Sequence, residues 1–481
     1  MTIIFLSFKG GTSYYYIEVP FLNLNRKIFF KSRDLCMCAA CHKLVMYKKQ
    51  RRNEEKIMKK KMLSLVLAGA MMATVLTGCG STGADAGSTA EGTTDAAAED
   101  TGADNAETDA AGTESADATD AAQTAGAGGT FKIGGIGPLT GGAAVYGIAA
   151  MNGSQIAVDE INAAGGIGGM TVELNFQDDE LDAEKSVNAY NTLKDWGMQV
   201  LDGCVTSGCS IAVAAKSAED QIFQLTPSGS AVECVTNDNS FRVCFSDPNQ
   251  GSASAQYIGE NGLASKIAVI YDSSDVYSSG IYEKFAQEAA NQPFEIVTAG
   301  AFTADNKTDF SVQLQQAKDA GADLVFLPIY YNEAALILKQ ASDMGFDVQF
   351  FGCDGLDGIL GVENFDASLA EDVMLLTPFA ADATDDLTVK FVTTYNEKFG
   401  ETPNQFAADG YDAVYTIKAA AEQAGITADM SNEEICTALS AAMTQIQVDG
   451  LTGAGITWDA SGEPTKAPKA VIIKNGVYTA M

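Results

Sequence analysis

The sequence predicts an α/β fold in which two parallel sheets, each covered by helices on both faces, make two lobes. Three observations predict it. Short apolar runs bounded by turn residues alternate with helical patterns from residue 131 to about residue 225. After Asp247-Pro248 the same alternation restarts at Ile267. Consecutive strands separated by a helix-length crossover must run parallel, so two rounds of alternation predict two such sheets. The third observation is a boundary: the first 129 residues share none of this pattern, and fold reasoning begins at residue 130.

The region before it has its own organisation. Residues 1–61 hold 14 of the 30 Lys and Arg and only four acidic residues. Met58-Lys59-Lys60-Lys61 precedes the apolar run MLSLVLAGAMMATVL, which ends in Leu76-Thr77-Gly78-Cys79. A positive start and an apolar core too short for a comfortable membrane span are the marks of an export signal. The run 58–79 resembles a bacterial lipoprotein signal peptide with its lipobox, which implies that the Cys79 thiol is lipidated and becomes the mature N-terminus. An export signal works from the N-terminus, so residues 1–57 read as an upstream leader with a misassigned start, and translation is expected from Met58. That leader lacks a clear helical or strand period, and the C-x-C-x-x-C spacing of its Cys36, Cys38 and Cys41, which could suggest a metal knuckle, is weak evidence in a segment not expected to be translated. Residues 80–129 carry eleven acidic side chains and no basic one amid Ala, Gly, Thr and Ser. They have too little apolar area to offset chain entropy, so they read as a disordered acidic linker.

Charge and composition exclude several functions. Beyond Cys79 the chain has 16 basic and 59 acidic side chains, a net charge of −43. Nucleic acid is excluded as a partner, because phosphate binding needs clustered Lys and Arg. The single histidine, His42, lies in the leader. The rest of the chain therefore has no His-based triad, metal site or general base, and no paired nucleophile and base motif. An enzyme, a metal site and a cofactor are not expected. The glycine-rich run after the first strand misses the dinucleotide spacing.

The elements follow in order. Phe131-Lys132-Ile133-Gly134-Gly135-Ile136-Gly137 is a strand, and Pro138 opens a glycine-rich loop leading to Tyr146. In the next helix Ala149, Gly153, Ile156, Ala157 and Ile161 share one face of small residues fit for close packing on a sheet, and Gly165-Gly166 ends it. Val172 to Phe176 is a strand, residues 183–196 a helix, then come a strand before Cys204, a helix after Ser207, and a strand over Ile222 to Leu225. Strands at Phe241 to Cys244, Ile267 to Tyr271, Phe294 to Val297, Leu324 to Leu327, before Gly352 and at Val373 to Thr377 continue the pattern, with helices over 310–320 and up to Met344. Helices over 387–399 and from Asn404 follow, the second with Ala407, Tyr411, Val414, Ile417 and Ala421 on one face. Residues 456–462 and Val471-Ile472-Ile473 read as a closing strand pair.

Within this frame the stretch VTSGCSIAVAAKSAEDQIFQLTPSGS, residues 205–230, draws the site. Thr206-Ser207-Gly208 and Thr226-Pro227-Ser228-Gly229-Ser230 are hydroxyl-rich loops leaving successive strands. Ligands of open parallel sheets bind beyond the carboxyl ends of strands, where helix N-termini offer N–H groups to an anion. A carboxylate ligand is one reading. The other is that Ser207 caps its helix and residues 228–230 form a turn.

The landmarks, taken together, decide between them. Gly137-Pro138-Leu139-Thr140-Gly141 with Tyr146-Gly147, Glu160-Ile161-Asn162-Ala163-Ala164-Gly165-Gly166-Ile167, Gln177-Asp178-Asp179, Gln224-Leu225-Thr226-Pro227, Phe241-Arg242, Gly352-Cys353-Asp354-Gly355 and Ala408-Asp409-Gly410-Tyr411-Asp412-Ala413 stand in an order that resembles the periplasmic-type solute-binding proteins of the branched-chain amino acid (leucine/isoleucine/valine-binding) group, the receptor components of ABC importers. The resemblance covers roughly residues 130–481. It implies the type I periplasmic-binding-protein fold, two doubly wound parallel-sheet lobes joined by three crossover strands, with lobe 1 over 130–247 and 378–449 and lobe 2 over 248–377 and 450–481. It further implies that Ser207, Ser228 and Ser230 hold a ligand α-carboxylate and help orient its ammonium, that Asp354 pairs with the ammonium, and that Tyr146, Tyr277, Tyr330 and Phe406 wall the side-chain pocket. A zwitterion taken out of water needs both charges compensated, which these groups would do. In the leucine/isoleucine/valine binder a disulfide occupies places held here by Leu181 and Thr206. Cys204 with Cys209, or Cys234 with Cys244, are the candidates for a different bridge, and the second pair is preferred. The implied function is that of a lipid-anchored, extracytoplasmic, monomeric receptor for a small amino acid, working with ABC permease subunits. The alternative on the same fold is a sensor for amides, urea or aromatic acids.

Overall fold

The computed structural model describes residues 128–481 and, before them, three short strands. Those three, β1 (Thr2–Ser7), β2 (Ser13–Glu18) and β3 (Phe29–Lys31), pair antiparallel in the order β1-β2-β3. The expectation that the leader has no strand pattern is thus corrected. Runs such as Ser13-Tyr14-Tyr15-Tyr16-Ile17-Glu18 are rich in the aromatic and β-branched residues that favour strands. The signal segment 58–79, Cys79 and nearly all of the acidic linker lie outside the described residues.

From residue 130 the chain builds two sheets. The first has the order β5-β4-β6-β7-β8, all parallel, from β4 (Thr130–Gly137), β5 (Thr171–Asp178), β6 (Val200–Gly203), β7 (Phe223–Thr226) and β8 (Ser240–Arg242). The second has the order β10-β9-β11-β12-β13-β16-β17, from β9 (Lys266–Asp272), β10 (Glu295–Phe302), β11 (Leu324–Leu327), β12 (Gln349–Gly352), β13 (Met374–Thr377), β16 (Lys469–Lys474) and β17 (Val477–Ala480). Its first five members are parallel, and β16 and β17 close the edge antiparallel. Strands such as β6, β7 and β11 are buried at every residue, as expected when helices cover both faces.

Among the described residues ten helices cover these sheets: α1 (Ala144–Ala163), α2 (Ala183–Trp196), α3 (Ser207–Glu219), α4 (Asp247–Glu260), α5 (Val276–Ala289), α6 (Ser311–Asp319), α7 (Tyr331–Asp343), α8 (Asp386–Phe399), α9 (Gln405–Ala424) and α10 (Asn432–Met443). Local chemistry sets their ends. Asp182, Asp275, Asp385, Asn404 and Ser431 each accept backbone N–H groups as N-caps, and Gly197, Gly400 and Gly425 end helices in the left-handed region. Helices α4, α5 and α10 were not read from the sequence, although Asp275 and the Ser431/Glu434 capping box signal two of them.

One further reading is extended and another is corrected. The small face of α1 packs tightly against another helix, α9, as well as lying over the sheet. A Cβ on Gly153 would stand 1.8 Å from the Ala407 carbonyl oxygen, so only glycine permits this approach. The closing strand pair is also different. Residues 457–465 fold back on themselves around Asp459, whose Oδ1 accepts the N–H groups of Ser461 and Glu463. Val471-Ile472-Ile473 pairs with β13 and, through a turn at Asn475-Gly476, with β17. Both turn residues have positive φ (52° and 73°), the hairpin chemistry of an Asn-Gly pair. The remaining strands β14 (Val448–Gly450) and β15 (Gly453–Ile456) form their own small hairpin.

Among the described residues all six cysteines are free and buried. No bridge joins Cys234 to Cys244, or Cys204 to Cys209. Cys234 instead points its thiol at the Ser207 carbonyl, 3.7 Å away. No helix among the described residues is long and apolar enough to cross a membrane.

Candidate functional site

One narrow cavity lies between the carboxyl ends of the two sheets, lined by Tyr146, Val205, Thr206, Ser207, Ser228, Tyr277, Tyr330, Asp354, Gly355 and Phe406. Seven of the eight ligand-contact residues expected from the sequence meet in it. Ser230 does not line it. Its N–H goes to Ser207, its carbonyl takes the Asp247 N–H, and its buried hydroxyl sits behind the rim. A larger, open surface groove over β5, α1 and Trp196 has none of this chemistry.

At one end of the cavity are the serine loops. Thr206 is the N-cap of α3 but makes no side-chain cap bond, so the first-turn N–H groups of that helix are not taken up by it. The Ser207 hydroxyl accepts the N–H groups of Ser230 and Ala231, both at 3.1 Å. With both lone pairs used, its remaining capacity is its proton, a donor for a carboxylate. Ser228 is the complement: it donates its proton to the Val205 carbonyl at 2.6 Å, which leaves its lone pairs for a donor such as an ammonium. Thr226 locks the same loop, donating to the Cys204 carbonyl and accepting the Gly229 N–H, each at 2.7 Å.

Behind the loop lies a residue whose role the sequence did not disclose. Arg242 is fully buried and donates to the carbonyls of Gly229 (2.8 Å) and Ala231 (2.9 Å) while pairing with Glu463 at 3.1 Å. A planar fork of donors suits two carbonyls and a carboxylate at once, so Arg242 fixes the shape of the Ser228–Ser230 turn from below. Its Phe241-Arg242 signal was visible as a landmark without pointing to this task.

At the other end is Asp354, 3 % exposed, just beyond β12. Burial lifts its carboxyl from 3.8 to about 6, a rise that the Tyr277 hydrogen bond partly opposes. Among the described residues no ion pair offsets it: the Tyr277 hydroxyl lies 2.7 Å from Oδ1, Gln250 Oε1 accepts its N–H, and the Gln405 side chain and the Gly355 N–H also favour its charged form. The Tyr277 hydroxyl also accepts the Gly355 N–H at 2.9 Å. Any side chain at position 355 would collide with it, since a Cβ there lies 2.6 Å from the Tyr277 Oη and 2.7 Å from the Ile329 carbonyl.

Aromatic rings make the walls. Tyr146 lies against Phe406 (centroids 4.1 Å), Tyr277 stacks on Tyr330 (5.1 Å), and Tyr146 meets Tyr330 edge-on (5.5 Å). The arrangement offers hydroxyl and N–H donors at one end, an uncompensated carboxylate at the other, and apolar walls between. That is the set of groups a small zwitterion needs to leave water without losing its charge compensation.

Residues 130–476 match the periplasmic binding protein family. Among curated relatives, the Leu/Ile/Val-binding protein homolog 3 of Brucella melitensis is 31 % identical over 305 residues, 62 % of this chain and 80 % of that protein. Among solved structures, the branched-chain amino acid transporter substrate binding protein LivJ of Streptococcus pneumoniae, in complex with isoleucine, is 29 % identical with a TM-score of 0.66, covering 73 % of this chain and 98 % of that one. The leucine binding protein LivK of Thermotoga maritima gives 28 % identity and a TM-score of 0.66 over 73 % of this chain and 97 % of its own. The chain therefore belongs to the periplasmic binding protein family, whose members are extracytoplasmic substrate-binding proteins and not enzymes.

Proposed function

We propose that this protein captures a small aliphatic α-amino acid between two closing lobes and delivers it to an ABC importer. The observation that carries the reading is the polarity of a single cavity: the Ser207 proton and the α3 N-terminus at one end, and at the other the buried Asp354, which no ion pair offsets among the described residues. The α-carboxylate lies on the serine loops, and the ammonium lies between Ser228 and Asp354. The names of the relatives support an amino acid as ligand. Residues 130–247 with 378–449, and 248–377 with 450–481, move as two bodies, because a ligand drives closure only by binding the closed form more tightly and its contacts are divided between them. The protein acts as a monomer, lipidated at Cys79 and tethered through the acidic linker to the membrane that holds its permease.

Mass spectrometry of whatever co-purifies with residues 130–481, followed by calorimetric titration of that compound, tests the reading. An aliphatic amino acid returned unchanged is the expected result. An amide, urea or aromatic acid would replace the reading with the sensor alternative, and a turned-over ligand would overturn it. Intact-mass measurement of membrane-extracted protein tests the anchor: the expected mass begins at acylated Cys79, and peptides from residues 1–57 would refute it.

A further inference from the structure

Gln405 is the first residue of α9, next to Phe406 of the cavity wall, and it is fully buried. Helix α9 is seated on α1 over the first sheet: a Cβ on Gly410 would stand 2.3 Å from the Ala150 carbonyl oxygen. The polar groups of Gln405 nevertheless turn to the second sheet. Its N–H donates to Asp357 Oδ2 at 2.8 Å, and its Oε1 accepts the hydroxyl of Thr377, at the end of β13, also at 2.8 Å. With the oxygen held there, the side chain stands beside Asp354 and favours the charged form of that carboxyl. Its Nε2 is buried and has no hydrogen-bond partner among the described residues. A donor kept from water next to a carboxylate, without a completed bond to it, is costly as it stands.

The two sides of this gap belong to different lobes. Asp354, Asp357 and Thr377 lie in residues 248–377 and Gln405 in residues 378–449, so a change in the angle between the lobes changes the separation of Nε2 from Asp354. The other carboxamide beside Asp354 behaves differently. Gln250 on α4 accepts the Asp354 N–H at 3.3 Å and also has a buried, unpartnered Nε2, but it shares a lobe with Asp354 and travels with it.

We infer that Gln405 is a positioning residue for ammonium recognition: closing the lobes over the ligand completes a hydrogen bond from Gln405 Nε2 to Asp354, so that the first lobe holds the second lobe's carboxylate on the ligand. This rests on the proposed amino acid ligand. Such a bond is strong when its acceptor is ionised. The ammonium keeps Asp354 ionised once the cavity is shut, so ligand and amide reinforce one another, and a ligand without a cation forgoes both. The titratable and charged groups around Asp354 and position 405 are Asp357 beyond β12, Tyr277 on α5, Asp247 on α4, and Asp409 one turn along α9 with Lys466 at 3.8 Å from it. Most of these are carboxyls, so a further negative charge at position 405 has little to welcome it.

The test is calorimetric titration of alanine, valine and leucine into wild type, Gln405→Met and Gln405→Glu at pH 7 and pH 8.5, with melts to show that each variant is folded. Gln405→Met keeps the length and removes the donor, so affinity for the tightest of the three should fall by about ten- to a hundredfold at both pH values, the worth of a hydrogen bond to a charged group. Gln405→Glu sets a second carboxyl against Asp354. Both cannot stay ionised when the lobes shut, so binding takes up a proton, and affinity should rise by about threefold or more from pH 8.5 to pH 7, where wild type changes little. A side chain that merely fills the core would show no such proton uptake. Unchanged affinity in folded Gln405→Met, or a pH-independent affinity in Gln405→Glu, overturns the role of Gln405 while leaving the amino acid reading intact. Should Gln405→Met fail to fold, Gln405→Glu decides alone. If wild type binds none of the three, the amino acid reading itself fails and the role of Gln405 falls with it.

Discussion

Tyr277 donates its hydroxyl to Asp354 Oδ1 at 2.7 Å while accepting the Gly355 N–H, so that a neutral phenol holds a buried carboxylate in place without neutralising it. The carboxylate is aimed and remains short of a countercharge. That is the state in which a ligand ammonium gains most from arriving.

Asp354→Ala should therefore cost on the order of 2–5 kcal/mol of binding free energy, because it strands a desolvated ammonium. Asp354→Asn keeps the shape, removes the charge and should lose nearly as much. Both should unfold near the wild-type midpoint. Titration calorimetry beside a thermal melt checks this, and unchanged affinity in both variants would remove Asp354 from the site.

Ser207→Ala differs in kind, since the hydroxyl also satisfies two buried N–H groups of the facing loop. Besides weakening binding it should destabilise the fold by about 1–3 kcal/mol, the cost of orphaned buried donors. Urea unfolding of the ligand-free protein measures that share directly. A variant as stable as wild type would mean that the Ser230 and Ala231 donors find other partners.

Arg242→Met leaves the Gly229 and Ala231 carbonyls and Glu463 without their donor. A loss of about 2–4 kcal/mol is expected, since two buried carbonyls lose their donors while the Glu463 side chain, 32 % exposed, can turn to water. Arg242→Lys should recover only part of it, because one ammonium cannot serve three acceptors in a plane. Ligand affinity should fall with the loop's order in both. Wild-type affinity in Arg242→Lys would show that the loop holds its shape unaided.

Stability and binding should respond to pH in opposite directions. Burial raises the carboxyls of Asp179, Asp275 and Asp354 to about 6 and those of Asp202 and Asp357 to about 7. All lie above the unfolded value near 3.9. The folded state thus binds more protons between about pH 4 and 7, and stability rises as pH falls through that window and is lost as pH rises. Binding needs Asp354 ionised, so the ligand-induced rise in midpoint should shrink below about pH 6. Melts at pH 8 and pH 5, with and without ligand, test both signs. An apo midpoint that drops from pH 8 to pH 5 would contradict the first.

Thiol chemistry checks the cysteines. Burial pushes Cys209 and Cys234 up to about 12 and holds Cys204, Cys244 and Cys353 well above the usual thiol range. Reagents that need a thiolate should leave the native fragment 130–481 essentially unlabelled and react with six thiols after unfolding. A count of four would restore one bridge.

The sequence by itself determined the elements and their class. The alternation of apolar runs and helical faces, the Asn404 start and the glycine stops are local signals, each read within a turn or two of chain. They sufficed for two parallel sheets and for the hydroxyl loops that turn off β6 and β7. The same locality explains the misses. The Asn475-Gly476 hairpin and the Ser431 cap were legible and went unread, while the partner of Val471 lay a hundred residues away in β13. What only the tertiary structure decided is which capacity of each polar group is left over. Ser207 is a donor because Ser230 and Ala231 occupy its lone pairs, Ser228 an acceptor because Val205 takes its proton, and Ser230 stands behind the rim because its backbone is spent on Ser207 and Asp247. Tyr146 reaches Tyr331 across 185 residues only when the two lobes meet. A hydrogen bond saturates its partners, so what remains for a ligand is fixed by every neighbour at once, and those neighbours are brought together by the packing of two lobes.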